Sequence, residues 1–211
     1  MSQTKVAVGM LDATGTPGSG NFLRGDGTWN APSAAGMTFI STTDISAAAT
    51  YDFTAFTAAS YEHYIFHLQN VIPATDDRHL WVRTSTDGGS SYDAGGSDYN
   101  WGGQGGNASF VEDAADGQFA ATGNGTSAAS TIGSTSTESG VSGTIQLFGP
   151  HTTSFTHMQS NLTFHNASDA LTHADFGGAR VSAADVDGFR ILFESGNIES
   201  GTITAYGLAN A

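Results

Sequence analysis

Nowhere in this chain do apolar residues recur at helical spacing over ten or more residues; they come in short alternating runs bounded by Gly, Pro, Asn and Ser. Ala47-Ala48-Ala49 is too short to be an exception. An alternating run can bury only one face, so it must pair with others in a sheet and hide that face. The runs are Met37–Ser41, Tyr51–Phe56, Tyr64–Val71, His79–Ser85, Tyr92–Trp101, Gly143–Phe148, Ser154–His165, Gly188–Phe193 and Gly201–Leu208. In His79–Ser85, Leu80 and Val82 oppose Trp81 and Arg83. Asp87-Gly88-Gly89 predicts a hairpin turn, and Gly196-Asn197 predicts a second one joining Phe189–Phe193 to the last run. An open meander would leave long edges for aggregation. The expected class is therefore all-β: a β-sandwich or jelly-roll-like domain over 37–211.

Two segments fall outside this pattern. Residues 1–36 carry one apolar stretch, Val6 to Leu11, among Gly, Thr, Ser, Pro and Asn, with Pro17 and Pro32 as breakers. They cannot bury enough surface to fold alone and read as an extended N-terminal arm that orders against a partner. Residues 102–140 are rich in Gly, Ala, Ser and Thr, with isolated Phe110, Val111 and Phe119, and read as long surface loops.

Charge narrows the partners. Six basic against twenty acidic residues give a net charge of −14, a field that repels nucleic acid and anionic membrane surfaces. With no cysteine there is no disulfide framework and no thiol chemistry. The start, Met1 to Lys5, has neither a basic cluster nor a following apolar run, so no export signal is expected; no stretch is long enough to insert in a membrane. Synthesis in a host cytoplasm followed by release in a particle fits this combination.

Gly18-Ser-Gly-Asn-Phe-Leu-Arg-Gly-Asp-Gly-Thr-Trp29 is similar to the connector that recurs before distal domains of bacteriophage tail fibres and related virion proteins. Arg190 to Leu208 resembles the closing hairpin of a β domain found at the ends of such proteins, and Asn70–Thr75 and Arg83–Ser90 occur in the expected order between them. The resemblance implies a structural virion component, a homotrimeric short fibre or spike (a receptor-binding tail-fibre tip) exposed on the particle. Its partners would be other phage virion proteins of capsid or tail, and a host surface glycan or protein. The alternative is a capsid decoration or head-fibre protein with no receptor role; the lack of a long shaft before the connector favours a short fibre tip, head fibre or decoration protein over a full tail fibre. Phe22, Leu23 and Trp29 are the expected attachment and trimer anchors, with Gly25 and Gly27 flanking Asp26 in a tight turn. Tyr92, Tyr99 and Trp101, beside the loop 102–140, are the expected receptor or glycan contacts, because aromatic faces stack on sugar rings.

Several motifs admit chemistry, and each has a plainer reading. Arg24-Gly25-Asp26 spells an adhesion tripeptide but is explained by the Gly-rich turn. Ser85-Thr-Asp-Gly-Gly-Ser-Ser-Tyr92 fits the Asp-box pattern of sialidases, where it is a folded hairpin rather than a catalytic centre, and it occurs once. Glycosidases work with two facing carboxylates. Asp76-Asp77, Asp113 with Asp116, and Asp185 with Asp187 all sit in polar turns, so no enzyme is expected. The seven histidines show no metal-binding spacing, and Asp87, Asp93 and Asp98 supply hard oxygens for Ca²⁺ without EF-hand spacing. Neither metal nor cofactor is expected.

Overall fold

The computed structural model of this chain describes residues 13–31, 36–105, 111–124 and 130–209, and divides it at Ala35/Gly36 into two units. Val6 to Leu11, Pro32 and Phe110 lie outside the described residues.

The first unit is not extended throughout. Strands β1 (Phe22–Leu23) and β2 (Trp29–Asn30) pair antiparallel, with Leu23 opposite Trp29. The turn between them is closed by Asp26, whose Oδ1 accepts the Thr28 amide at 3.0 Å and the Thr28 hydroxyl at 2.7 Å. Those two bonds hold the Asp26 carboxyl below its ordinary pKa. Thr14 adds a parallel bridge to Thr28, so the segment folds back on itself.

The second unit is a two-sheet β structure. Its strands are β3 (Met37–Ala48), β4 (Tyr51–Phe53), β5 (Tyr61–Pro73), β6 (Leu80–Ser85), β7 (Tyr99–Gly105), β8 (Val111–Asp116), β9 (Phe119–Ala120), β10 (Val141–Phe148), β11 (Thr156–His165), β12 (Leu171–Arg180), β13 (Gly188–Phe193) and β14 (Ile198–Ala209). The larger sheet runs β3-β14-β5-β10-β11-β12-β7-β8 and the smaller β4-β13-β6-β9. Eight of these strands, β3, β4, β5, β6, β9, β10, β13 and β14, carry a simple rule. Numbered in chain order, they lie first-eighth-third-sixth in one sheet and second-seventh-fourth-fifth in the other, which is jelly-roll connectivity. Two inserted pairs, β7-β8 and β11-β12, widen the larger sheet beyond β10.

Alternation decides which face is inside. In β5, Tyr64, Phe66 and Leu68 are buried while His67 is exposed; in β14, Ile203 and Ala205 are buried between outward Thr202, Thr204 and Tyr206. The sheets meet through aromatic rings. Phe66 of the larger sheet stacks on Phe189 of the smaller, centroids 4.0 Å apart and 6° from parallel, and Phe53 meets Phe66 edge-on at 5.2 Å. Beyond β10 the inner face is covered by β9 of the smaller sheet, which packs against β7 and β12, together with Ala121 and Ile132. Phe119, Ala121 and Ile132 are fully buried there, and the Ser160 hydroxyl of β11 donates to the Ala121 carbonyl at 2.7 Å.

One irregularity crosses the sheet. At Asn70 (φ 50°) β5 takes an extra residue, so Gln69 and Asn70 both face out before Val71 turns in. The Ser142 hydroxyl receives the Asn70 amide at 3.0 Å. On the other side β14 answers with Gly201 (φ 139°), where a Cβ would lie 2.6 Å from the Val71 Cα. Glycine is required there by contact as well as by backbone angle.

Two expected hairpins are crossovers instead. β13 pairs with β4 and β6 while β14 pairs with β3 and β5, so Gly196-Asn197 carries the chain from one sheet to the other. Likewise β6 ends at Ser85 in the smaller sheet and the next strand, β7, begins at Tyr99 in the larger. In both places the turn residues predict paired strands, but the apolar side chains on the two flanks line opposite walls of one core. Residues 102–140, expected to be loops, hold the rest of β7 together with β8 and β9.

Candidate recognition surface

Of the three expected contact residues, two are interior. Tyr99 is fully buried, its hydroxyl taking the Thr84 amide at 2.7 Å, and burial pushes its pKa up to about 12. Trp101 is 6% exposed and meets Phe176 edge-on at 5.8 Å. Neither ring has a free face for a sugar, because β7 is an inserted strand whose odd positions point into the core. Tyr92 alone reaches the surface, and its neighbours define a site absent from the expectation.

That site is the outer face of the smaller sheet. Across it Asp52 of β4, Arg190 of β13 and Arg83 of β6 stand in one cross-strand row. Arg190 grips Asp52 with Nε and Nη2, at 2.7 and 2.6 Å, and lays its guanidinium 3.8 Å above the Tyr92 ring. The Asp52 bond lifts the Arg190 pKa above its ordinary value. Arg83 donates from Nε to the Gly117 carbonyl at 3.2 Å and lies 5.9 Å over Trp81. Arg78 and Arg180 pair with Glu194 and Asp93, so Arg83 is the one arginine of this unit without a carboxylate partner among the described residues. In a chain of charge −14 this row leaves one arginine, Arg83, with no carboxylate partner among the described residues, beside the Trp81 ring. It suits an anionic, flat-faced ligand, with charge to the guanidinium and ring to the indole. The alternation in His79–Ser85 had set Trp81 and Arg83 together on one face; what sequence could not supply was that this face is the outer one and that Arg190 lies across the strand.

The Asp-box segment braces one end of this row. The Ser85 hydroxyl bonds Asp87 Oδ1 at 2.7 Å and receives the Asp87 and Gly89 amides; Asp87 Oδ1 and Oδ2 take the Ser91 amide and hydroxyl. Asp187 Oδ1 holds the Gly88 amide at 2.8 Å. These bonds, those from Ser91 foremost, pull the Asp87 pKa down to about 2 from 3.8. A depressed carboxylate contributes stability that is complete above its unfolded pKa and is lost as pH falls through the folded one. The thermal midpoint of Asp87→Asn should therefore trail wild type at pH 7, and the gap should close between pH 4 and pH 2. A gap independent of pH would mean that the carboxylate does not hold the loop.

The remaining candidates disperse. Asp93 holds buried Arg180, and Asp98 takes the Gly95 amide, so with Asp87 they form no common cation site. Asp76 takes the Ser134 amide, Asp77 the Thr131 hydroxyl, and Asp116 the Gly117 amide and the Asn124 side chain. The Asp113 side chain lies outside the described residues. His151 stands between the Asp185 carboxylate at 3.1 Å and the Tyr64 hydroxyl at 3.3 Å, an arrangement that looks like a catalytic relay. Its end group is a fully buried phenol that also receives the Thr57 amide, so it ties three segments together. Among the described residues no three His, Asp or Glu side chains gather for a metal. The expected anchors differ in setting: Phe22 is 62% exposed, Leu23 is exposed, and Trp29 is half-buried.

No family model matches the chain, and neither a curated protein nor a solved structure resembles it.

Proposed function

We propose that this chain is a structural component of a bacteriophage particle, a trimeric short fibre or spike whose β body meets a host surface glycan. The observation that carries the reading is the division of labour between the units. Residues 18–29, similar to the fibre connector, form a separate hairpin that leaves Phe22 and Leu23 uncovered, while the second unit has a complete core of its own. Apolar side chains held out on a short hairpin are what an attachment or trimerisation element offers. The Trp81–Arg83–Tyr92 surface is where an acidic saccharide would be met by a body otherwise too acidic to approach it.

Sedimentation tests this reading directly. The full chain should run near 65 kDa, three times its 21.7 kDa, at micromolar concentration. Protein lacking residues 1–31 should keep its strand signal in circular dichroism and its cooperative melting, but fail to join particles. A stable full-length monomer would count against a trimer, and unfolding of the shortened protein would count against an independent body.

A further inference from the structure

The larger sheet has an outer face that nothing described covers, and one end of it is unlike the rest of the molecule. Register fixes two neighbouring rows of outward side chains. One runs Met37, Leu208, His63, Phe148, His157, Ala179; the next runs Phe39, Tyr206, Ile65, Gln146, Gln159, Gly177. Neither row contains Asp, Glu, Lys or Arg. Met37 and Phe39 are 59% and 58% exposed. Phe39 meets Tyr206 edge-on at 6.1 Å, and Phe148 stacks on His63 at 4.4 Å. Both exposed residues belong to β3, the edge strand of the sheet, whose outer backbone groups no described strand pairs. A long open edge beside a contiguous apolar patch is a combination that isolated soluble proteins avoid.

We infer that this end of the outer face is the surface through which copies of the chain pack against one another. The inference deepens the proposed function and rests on its trimer. The choice of a second copy as occupant comes from charge. Two molecules of charge −14 repel across most pairs of surfaces, and a neutral apolar face is where they can approach without bringing carboxylates together. A cationic partner would instead be drawn to acidic surface elsewhere. Packed about a three-fold axis, the patches bury Phe39 and Tyr206 against their counterparts and shield the β3 edge at the same time.

Phe39→Asp in the full-length protein tests this by sedimentation, with Leu171→Asp as control. Leu171 is 73% exposed and faces out at the opposite end of the same sheet. Phe39→Asp should run at 21.7 kDa and still melt cooperatively, at a lower midpoint than the trimer because association no longer stabilises the fold, and Leu171→Asp should match the wild-type trimer. Should Phe39→Asp fold poorly, Met37→Asp carries the same test. A trimer that survives both substitutions but is lost in Phe22→Asp assigns association to the hairpin; that overturns this inference and leaves the proposed function standing. A trimer that survives all three also overturns it. A wild-type monomer overturns both readings.

Discussion

A chain stopped after Ser200 is expected to collect in the insoluble fraction and to show no cooperative melting. The missing strand is not an edge: β14 lies between β3 and β5 and supplies hydrogen bonds to both. Its loss strips β3 from the sheet altogether and bares the backbone edge of β5. Ile203 and Ala205 leave the core with it. A fully buried large aliphatic side chain contributes about 1.5–3 kcal/mol. Adding the two lost ladders brings the damage to the scale of a typical domain's whole stability, about 5–15 kcal/mol. The exposed edges would be those of β3 and β5, not the Phe189–Phe193 edge that a terminal hairpin would have uncovered. A soluble, cooperatively melting truncation would contradict the strand order.

The second large effect is at the contact between the sheets. Phe66 and Phe189 are both fully buried, and each is the other's parallel neighbour at 4.0 Å. Phe66→Ala or Phe189→Ala should each cost about 3–5 kcal/mol in urea unfolding, the transfer of the ring plus the cavity it leaves. The double variant should lose less than the two losses added, because the rings share one contact; a coupling of about 0.5–1.5 kcal/mol is expected for an aromatic pair. Strictly additive losses would mean that the rings do not touch, and with that the facing of the two sheets would fail.

The alternating runs were legible because each has one face in a core and one in water. Tyr64–Val71, Gly143–Phe148 and Ser154–His165 stand as strands within a residue or three of their sequence limits. β12 escaped notice because two of its inward positions, Thr172 and Ala174, are small and give little contrast with their neighbours, which leaves Phe176 as a lone apolar signal. The short β9 was hidden for a related reason: Phe119 and Ala120 stand among Gly, Gln, Ala and Thr, yet both are fully buried. Pairing was the larger gap. Gly196-Asn197 bends a chain equally well within a sheet or between two, since the local backbone is the same and only distant partners differ. The site suffered likewise. Tyr99 and Trp101 look like ligand contacts beside a Gly-rich stretch, and only distant partners, Thr84 on the Tyr99 hydroxyl and Phe176 against Trp101, put them inside.

The order of strands also bears on how the molecule comes into being. In chain order β14 is the last made of the fourteen strands, yet β3, the first strand of the body, has no other partner in its sheet. On a ribosome β3 and β5 would both emerge early and wait for a strand translated more than a hundred residues later. Contacts of such long separation are slow to close, and waiting strands are open to wrong partners. The larger sheet of the body therefore cannot be completed before β14 has been made. A nascent chain should stay sensitive to protease until β14 has cleared the exit tunnel.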